Sequence, residues 1–152
     1  MNHPSPSNSD KRPAKFDHEK LEVYRFELEF IGWVTPLLDE ASALAKGRTR
    51  EVCDQLDRAS LSALLNTAEG NGKRQRQIRA KFFDDARGSA TECAACLDAL
   101  VAKKIFSIER IQSGKDLLFK IVCMLAGLVS RFDGSSDVLR EESPEYFVGT
   151  ET

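Results

Sequence analysis

Apolar and polar residues recur with a period of three to four along most of the chain, from about Phe16 to Phe132. This period is that of an α-helix with one buried side, and it differs from the two-residue alternation of a β-strand. Four segments with the helical period follow one another, and the connections between them are short. Long helices with short connections pack as antiparallel neighbours. The pattern therefore predicts an all-α fold, an antiparallel up-down-up-down four-helix bundle.

The first predicted helix opens near Asp17, a favourable N-cap, and closes at Lys46-Gly47. It carries two apolar stripes, which is more than one core-facing side requires. The residues of the first stripe are Leu21, Tyr24, Leu28, Ile31 and Leu38. The residues of the second stripe are Val23, Phe26, Phe30, Val34, Leu37, Ala41 and Leu44. We expect Thr35-Pro36 to kink or break this helix, because proline lacks a backbone donor.

The other three predicted helices have clearer boundaries. The second runs from about residue 50 to residue 69 and stops at Gly70-Asn71-Gly72, since these residues tolerate the left-handed conformation. The third runs from about residue 75 to residue 103. The fourth starts at Ser107, a favourable N-cap, and its apolar positions continue to Phe132.

The two ends of the chain differ in composition from the part between them. Residues 1–15 are rich in Asn, Ser and Pro, which predicts a disordered leader without a signal peptide. Residues 133–152 carry six acids and one base, which predicts an acidic, flexible tail. The four-helix bundle is therefore expected to occupy residues 16–132.

The overall composition is that of one globular domain. The chain has 152 residues, of which 41% are apolar and 30% are charged. No stretch approaches the ~20 apolar residues that cross a bilayer, so we expect a cytoplasmic protein without a membrane partner. Its four cysteines are then expected to be reduced thiols. The net charge of −2 combines an acidic tail with a mildly basic remainder, and so weak a balance does not by itself indicate nucleic acid.

Two motifs in the second and third predicted helices are specific enough to indicate a family. The first motif is QLDRASLS at residues 55–62, followed by NTAEGNGK at residues 66–73. The second motif is FF at residues 82–83, followed by ARGSATE at residues 86–92. Together with KLEVY at residues 20–24, they resemble the signature of the four helix bundle protein family that is encoded in intervening sequences of 23S ribosomal RNA genes.

The resemblance extends over residues 16–132 and includes two departures. Asp57 stands where the family usually has a base, and Thr67 stands where isoleucine is common. The resemblance implies an up-down-up-down bundle and a ring-shaped homo-oligomer, a pentamer. It also implies a link to the accessory proteins of diversity-generating retroelements, which bind a reverse transcriptase and RNA. Most family members have no established biochemical activity, so the resemblance constrains the fold better than the function.

Five bases and no acid lie within nine residues between the second and third predicted helices. They are Lys73, Arg74, Arg76, Arg79 and Lys81. Cations at the start of a helix oppose its dipole, by ~0.3–1 kcal/mol each, so local stability does not account for them. A helix N-terminus with free amides and several arginines suits an anion, and RNA or DNA phosphate is the candidate. The alternative is a solvated face, paired with the acidic tail or a neighbouring subunit.

Three large aromatic residues belong to the second apolar stripe of the first helix or lie next to it: Phe26 and Phe30 are in the stripe, and Trp33 is beside it. If they were exposed, they would form an apolar patch larger than monomers normally tolerate. We therefore interpret these three residues as an oligomer interface. The alternative is that Phe16, the kink at Pro36 and the fourth helix cover them within one chain.

Polar residues also interrupt the apolar pattern of the second helix, at Asn66 and Glu69. We interpret them as a structural polar lock with Ser89 and Glu92 of the third helix, because buried polar groups need partners and can fix the register of packed helices. A catalytic carboxylate is the alternative reading of Glu69.

No arrangement of residues indicates catalysis or metal binding. Cys93 and Cys96 form a CxxC, but a zinc site needs four ligands and a second pair is missing. The two histidines, His3 and His18, lie in or near the leader, which leaves no nucleophile with a base. We expect no metal, no cofactor and no enzymatic activity. The predicted function is a homo-oligomeric scaffold or adaptor that binds RNA, DNA or a nucleic-acid enzyme; the alternative is a structural or protein-binding bundle without nucleic-acid contact.

Overall fold

Four helices form an antiparallel bundle in the computed structural model, which describes residues 15–45 and 47–134. They are α1 (Glu22–Ala45), α2 (Arg50–Gly72), α3 (Arg76–Ala102) and α4 (Ile108–Asp133), preceded by a 3-10 turn at Asp17–Lys20. Each helix packs on the next one along the chain, and α1 also packs on α4. The described residues contain no β-strand, so the predicted all-α four-helix bundle is confirmed. Most of the predicted leader and tail lies outside these residues.

One side of each helix contributes to a single core. Its most deeply buried large side chains include Leu37 on α1, Leu56 on α2, Phe83 and Leu97 on α3 and Leu125 on α4. Burying one such side chain contributes ~1.5–3 kcal/mol relative to leaving it exposed. None of the helices in the described part of the chain is long and apolar enough to cross a membrane.

The ends of α1 and α4 follow the sequence signals in part. The Ser107 hydroxyl accepts a hydrogen bond from the backbone N–H of Arg110 at 3.1 Å, which confirms Ser107 as the N-cap of α4. Gly47 has φ +99° just beyond α1, as a glycine that ends a helix should. The predicted start of α1 is wrong, because Asp17 opens the short 3-10 turn and its carboxylate binds the side chain of Asn71.

The break predicted at Thr35-Pro36 does not occur, and α1 continues through Pro36. Pro36 and Gly32, the residue four positions before it, are both exposed. The carbonyl that loses its helical partner therefore faces water, where it needs no protein donor. The Thr35 hydroxyl donates to the Ile31 carbonyl at 2.7 Å, as is common for threonine within a helix.

Helix α2 ends at Gly72, within the predicted glycine-rich stop, but not through a left-handed residue, because Lys73 adopts an extended conformation. A Cβ atom at Gly70 would lie 2.8 Å from the Cβ of Phe82 and 3.3 Å from the Arg79 carbonyl. Gly70 therefore serves the close approach of α3 and not a left-handed turn.

The aromatic residues predicted to form an oligomer interface lie inside the bundle instead. Phe30 is 2% exposed, and Phe26 and Trp33 are half-buried and pack against the core. The ring of Trp33 covers Gly114 of α4, where a side chain would have no room. The premise that Phe26, Phe30 and Trp33 form an exposed patch is therefore wrong, since α4 covers that stripe within one chain.

Candidate functional site

The predicted basic residues gather at one end of the bundle, where α2 ends, α3 begins and α4 ends. Arg76 and Arg79 lie on the first turns of α3, and Arg131 on the last turn of α4 joins them. The guanidinium of Arg76 donates to the Arg131 carbonyl, which ties the start of α3 to the end of α4. We call the surface formed by Lys73, Arg74, Arg76, Arg79, Lys81 and Arg131 the basic end.

A single aromatic ring holds three of these guanidiniums. The Phe132 ring centroid lies 4.3 Å from Arg79 Cζ, 5.1 Å from Arg76 Cζ and 5.4 Å from Arg131 Cζ. Phe132 also packs on the buried ring of Phe83, with centroids 5.8 Å apart. A cation above an aromatic face is attracted by the ring but keeps its full charge, so three positive charges are concentrated around one side chain.

Arg79 also holds the α2–α3 turn in place. Its guanidinium donates to Asn71 Oδ1 at 3.2 Å and to the Lys73 carbonyl at 3.5 Å. The Asn71 amide in turn donates to the Asp17 carboxylate at 2.9 Å. The buried Nε of Arg79 has no hydrogen-bond partner within the described residues. Arg79 is therefore a structural residue as well as a charge.

These contacts correct the inference that local stability does not account for the cations. Arg79 binds a carbonyl beyond the C-terminus of α2, and Arg76 binds one in the last turn of α4. Helix C-termini carry the negative end of the dipole and have carbonyls without helical partners, so cations there are favourable. The sequence showed only that these arginines lie at the start of α3, and the N-terminus of their own helix is an unfavourable place for a cation.

The remaining predicted bases differ in how they are held. Lys73 pairs with Glu69 at 3.3 Å and lies 5.4 Å from the Phe82 ring centroid. Arg74 and Lys81 are exposed. The first turn of α3 contains no acid, and the side chain of its N-cap residue, Gln75, makes no capping hydrogen bond. The first backbone N–H groups of α3 therefore receive no hydrogen bond from the Gln75 side chain, and they lie beside several positive charges.

The predicted polar lock forms only in part. Ser62 and Ser89 hydroxyls lie 3.0 Å apart across α2 and α3, and Asn66 donates to the Ser62 carbonyl at 3.0 Å. Glu92 accepts a hydrogen bond from the Gln55 side chain at 2.9 Å. Glu69 takes no part in these contacts, because it lies on the exposed side of α2 and pairs with Lys73.

A buried polar pair that the sequence reasoning missed joins α1 to α2. Glu27 is 2% exposed and Thr67 is fully buried, and Glu27 Oε2 lies 2.8 Å from the Thr67 hydroxyl. The second carboxyl oxygen of Glu27 is buried and has no hydrogen-bond partner among the described residues. Thr67 is one of the two departures from the family pattern that the sequence resembles, and it stands where isoleucine is common. Its contact with Glu27 gives this departure a structural reason.

The environment of Glu27 favours its neutral acid. Burial raises the pKa of Glu27 from 4.5 to about 8, and the Thr67 hydrogen bond lowers it by a smaller amount. The Thr67 hydroxyl has one hydrogen but lies within reach of both Glu27 and the Ala63 carbonyl, 2.9 Å away. A protonated Glu27 resolves this, because it donates to Thr67 while Thr67 donates to Ala63.

Two of the four cysteines pack in the core as apolar residues. Cys53 and Cys93 are buried, and burial raises the pKa of Cys93 to about 12, which keeps its thiol protonated. No group of three or more His, Cys, Asp or Glu residues within the described ranges could hold a metal ion.

Comparison with known proteins places the chain in a family. A family profile described as 23S rRNA-intervening sequence protein matches residues 19–127, which is most of the chain. The chain belongs to this family. No curated protein matches it. The matched part of the chain contains the five predicted bases of the α2–α3 turn, but Arg131 and Phe132 lie beyond it.

Proposed function

We propose that the protein is a non-enzymatic scaffold whose basic end binds the phosphate backbone of RNA or DNA. The observation that carries this proposal is the arrangement of Arg76, Arg79 and Arg131 around Phe132, next to the start of α3. The contacts that hold Arg76 and Arg79 are to carbonyl oxygens, an amide oxygen and a ring, and none of these groups carries a charge. These contacts do not neutralise the positive charges of the two guanidiniums.

The exposed bases would make the direct contacts. Arg74 and Lys81 flank the held arginines and are exposed. A planar guanidinium such as that of Arg74 can bind two phosphate oxygens, and the first amides of α3 can donate to another. The held arginines then act through their field, which raises the local concentration of polyanions.

The basic end is suited to backbone contact and not to reading bases. The aromatic rings at this end are already covered, since guanidiniums lie over Phe132 and the Lys73 ammonium lies over Phe82. Stacking of unpaired bases needs an open aromatic face. We therefore expect binding that depends on salt and varies little with nucleotide sequence.

Neutralising Arg74 and Lys81 is the direct test. In the double variant Arg74→Gln/Lys81→Gln, the affinity for a fluorescently labelled RNA oligonucleotide at low salt is expected to fall about tenfold, because two phosphate contacts are lost. Fluorescence anisotropy measures this loss. Arg79 is left unchanged, because it also holds the α2–α3 turn.

A matched control removes the same charge from the opposite end of the bundle. Arg48 precedes α2 and Lys103 follows α3, and both are exposed. The variant Arg48→Gln/Lys103→Gln is expected to bind RNA as the unchanged protein does. An equal loss of RNA affinity in both variants would show that the effect comes from net charge and not from the position of the bases. A protein that ignores RNA even at low salt would favour the alternative, a structural or protein-binding bundle.

We also propose that copies of the chain associate, through the outer face of α1 and α2. Leu28, Leu61 and Leu65 are 46%, 50% and 56% exposed, respectively. The Thr67–Glu27 contact fixes the register of α1 against α2. With this register, helical spacing places Leu28 of α1 near Leu65 of α2. Apolar side chains concentrated on one exposed face support a protein–protein interface. This face replaces the aromatic stripe as the proposed interface.

Polar substitution on this face should dissociate the assembly. The resemblance implies five copies, and five chains of 17.0 kDa would give a mass of about 85 kDa. Light scattering after size exclusion is expected to show the oligomer for the unchanged protein and the monomer for Leu61→Ser/Leu65→Ser. The control is Leu44→Ser/Ile108→Ser, whose two apolar residues are 65% and 62% exposed elsewhere on the bundle. An unchanged protein that runs as a monomer would end this proposal.

A further inference from the structure

Helix α4 ends inside the basic end. The last turn of α4 contains Arg131 and Phe132, and the helix is closed by Gly134 at φ +82°. The guanidinium of Arg79 lies 4.3 Å from the centroid of the Phe132 ring, only two residues before Gly134. Gly134 therefore closes α4 beside the part of the surface where the arginines are concentrated.

The sequence that follows has the opposite charge. Residues 135–152 contain five acids and one base, and the acids are Asp137, Glu141, Glu142, Glu145 and Glu151. A chain extends at most ~3.5 Å per residue, so Glu141 can reach up to ~25 Å from Gly134. Arg76 binds the Arg131 carbonyl, three residues before Gly134, so the carboxylates of residues 137–145 are within reach of the start of α3.

We propose that the acidic segment 135–152 binds the basic end of its own chain and competes there with nucleic-acid phosphate. The inference rests on the proposed function for the competition, but the contact itself requires only the two opposite charges. A ligand attached by a short linker has an effective concentration of order mM at its site. Carboxylates bind guanidinium and ammonium groups as phosphates do, so the segment acts as a built-in polyanion. Nucleic acid then binds only when its several phosphates displace the segment.

Chemical cross-linking of the full chain tests the contact without any nucleic acid. A water-soluble carbodiimide joins a lysine amine to a carboxylate that touches it, and mass spectrometry identifies the joined residues. We expect products that join Lys73 or Lys81 to Glu141, Glu142 or Glu145 at low salt, and their loss at high salt because screening weakens exposed ion pairs. Lys103 at the opposite end is the internal control. Products with Lys73 and Lys81 that are no more abundant than those with Lys103 would overturn the proposal.

Neutralising the segment tests the competition. In a neutral-segment variant, Glu141→Gln/Glu142→Gln/Glu145→Gln, RNA affinity at low salt is expected to rise about tenfold. The control variant carries the same change of net charge on exposed positions of three helices, Glu29→Gln/Glu51→Gln/Glu109→Gln. Equal RNA affinities of the two variants would overturn the proposal that the segment competes with RNA. If no form of the protein binds RNA, the proposed function fails, while the cross-links still decide whether the segment occupies the basic end.

Discussion

Replacing Gly114 by alanine is expected to lower the free energy of unfolding by about 3 kcal/mol or more. A Cβ atom at this position would lie within 2.6 Å of three atoms of the Trp33 ring, Cε3, Cζ3 and Cη2. Trp33 has little freedom to move away, because Phe30 packs on one part of it and the Arg110 guanidinium lies 5.8 Å from its ring centroid. Overfilled cores lose ~1–3 kcal/mol, and more where the neighbour is rigid.

Urea unfolding measures this loss, and Trp33 fluorescence reports it because the chain has one tryptophan. The control is Gly127→Ala on the same helix, where an added Cβ meets nothing within 4 Å. Alanine is the better helix former, so this control is expected to be up to ~1 kcal/mol more stable than the unchanged protein. Equal effects of the two substitutions would show that α4 does not approach Trp33 as described.

Raising the pH from about 5 to about 9 is expected to destabilise the fold by several kcal/mol through Glu27. Its pKa is about 8 in the fold against an ordinary 4.5, so between these values the folded chain holds a proton that the unfolded chain has released. Stability is then full below pH ~4.5, falls by ~1.4 kcal/mol per pH unit above it, and levels off above pH ~8. The contribution over the whole window is about 4–5 kcal/mol.

The variant Glu27→Gln should lose this part of the pH dependence, because an amide is neutral at every pH. At pH ~9 it is expected to be about 2 kcal/mol more stable than the unchanged protein, since an amide hydrogen left without a partner offsets part of the gain. Urea unfolding at pH values from about 5 to about 9 measures the slopes. Glu29→Gln, at an exposed position of the same helix, should leave the slope nearly unchanged. A Glu27→Gln slope that matches the unchanged protein would contradict a buried neutral acid.

Local signals predicted the helices well where a single residue type decides the boundary. Ser107 is the N-cap of α4 as expected, because its hydroxyl satisfies an amide three residues on. Gly70 shows the limit of such signals. Glycine permits both a left-handed turn and a close helix contact, and only the position of Phe82 on α3 decides between them.

The choice between the two apolar stripes of α1 needed information from another helix. Both stripes are apolar, so the pattern alone favours neither. Gly114 of α4 decides which stripe is buried, because a position without a side chain leaves room for the ring of Trp33. The stripe with Phe30 is therefore buried, and Leu28 on the other stripe is left at the surface.

The sequence indicated which bases belong to the candidate site, but the contacts between them could not be derived from spacing. Arg76 binds the carbonyl of Arg131, and nothing in the sequence near Arg76 indicates that the end of α4 lies there. The Glu27–Thr67 pair did leave a signal. A carboxylate within an apolar stripe on one helix, and a hydroxyl where isoleucine is common on the next, are two polar residues that each need a buried partner.

The dependence of RNA affinity on salt tests most directly whether the basic end binds nucleic-acid phosphate. The affinity of the unchanged protein for single-stranded RNA would be measured from about 50 to about 200 mM salt. Three to five phosphate contacts predict that log K falls with log salt with a slope of about −2 to −3.5. The slope should be shallower by about 1.4 in Arg74→Gln/Lys81→Gln, which lacks two of the contacts. A slope near zero, or one that is the same in both proteins, would contradict the account.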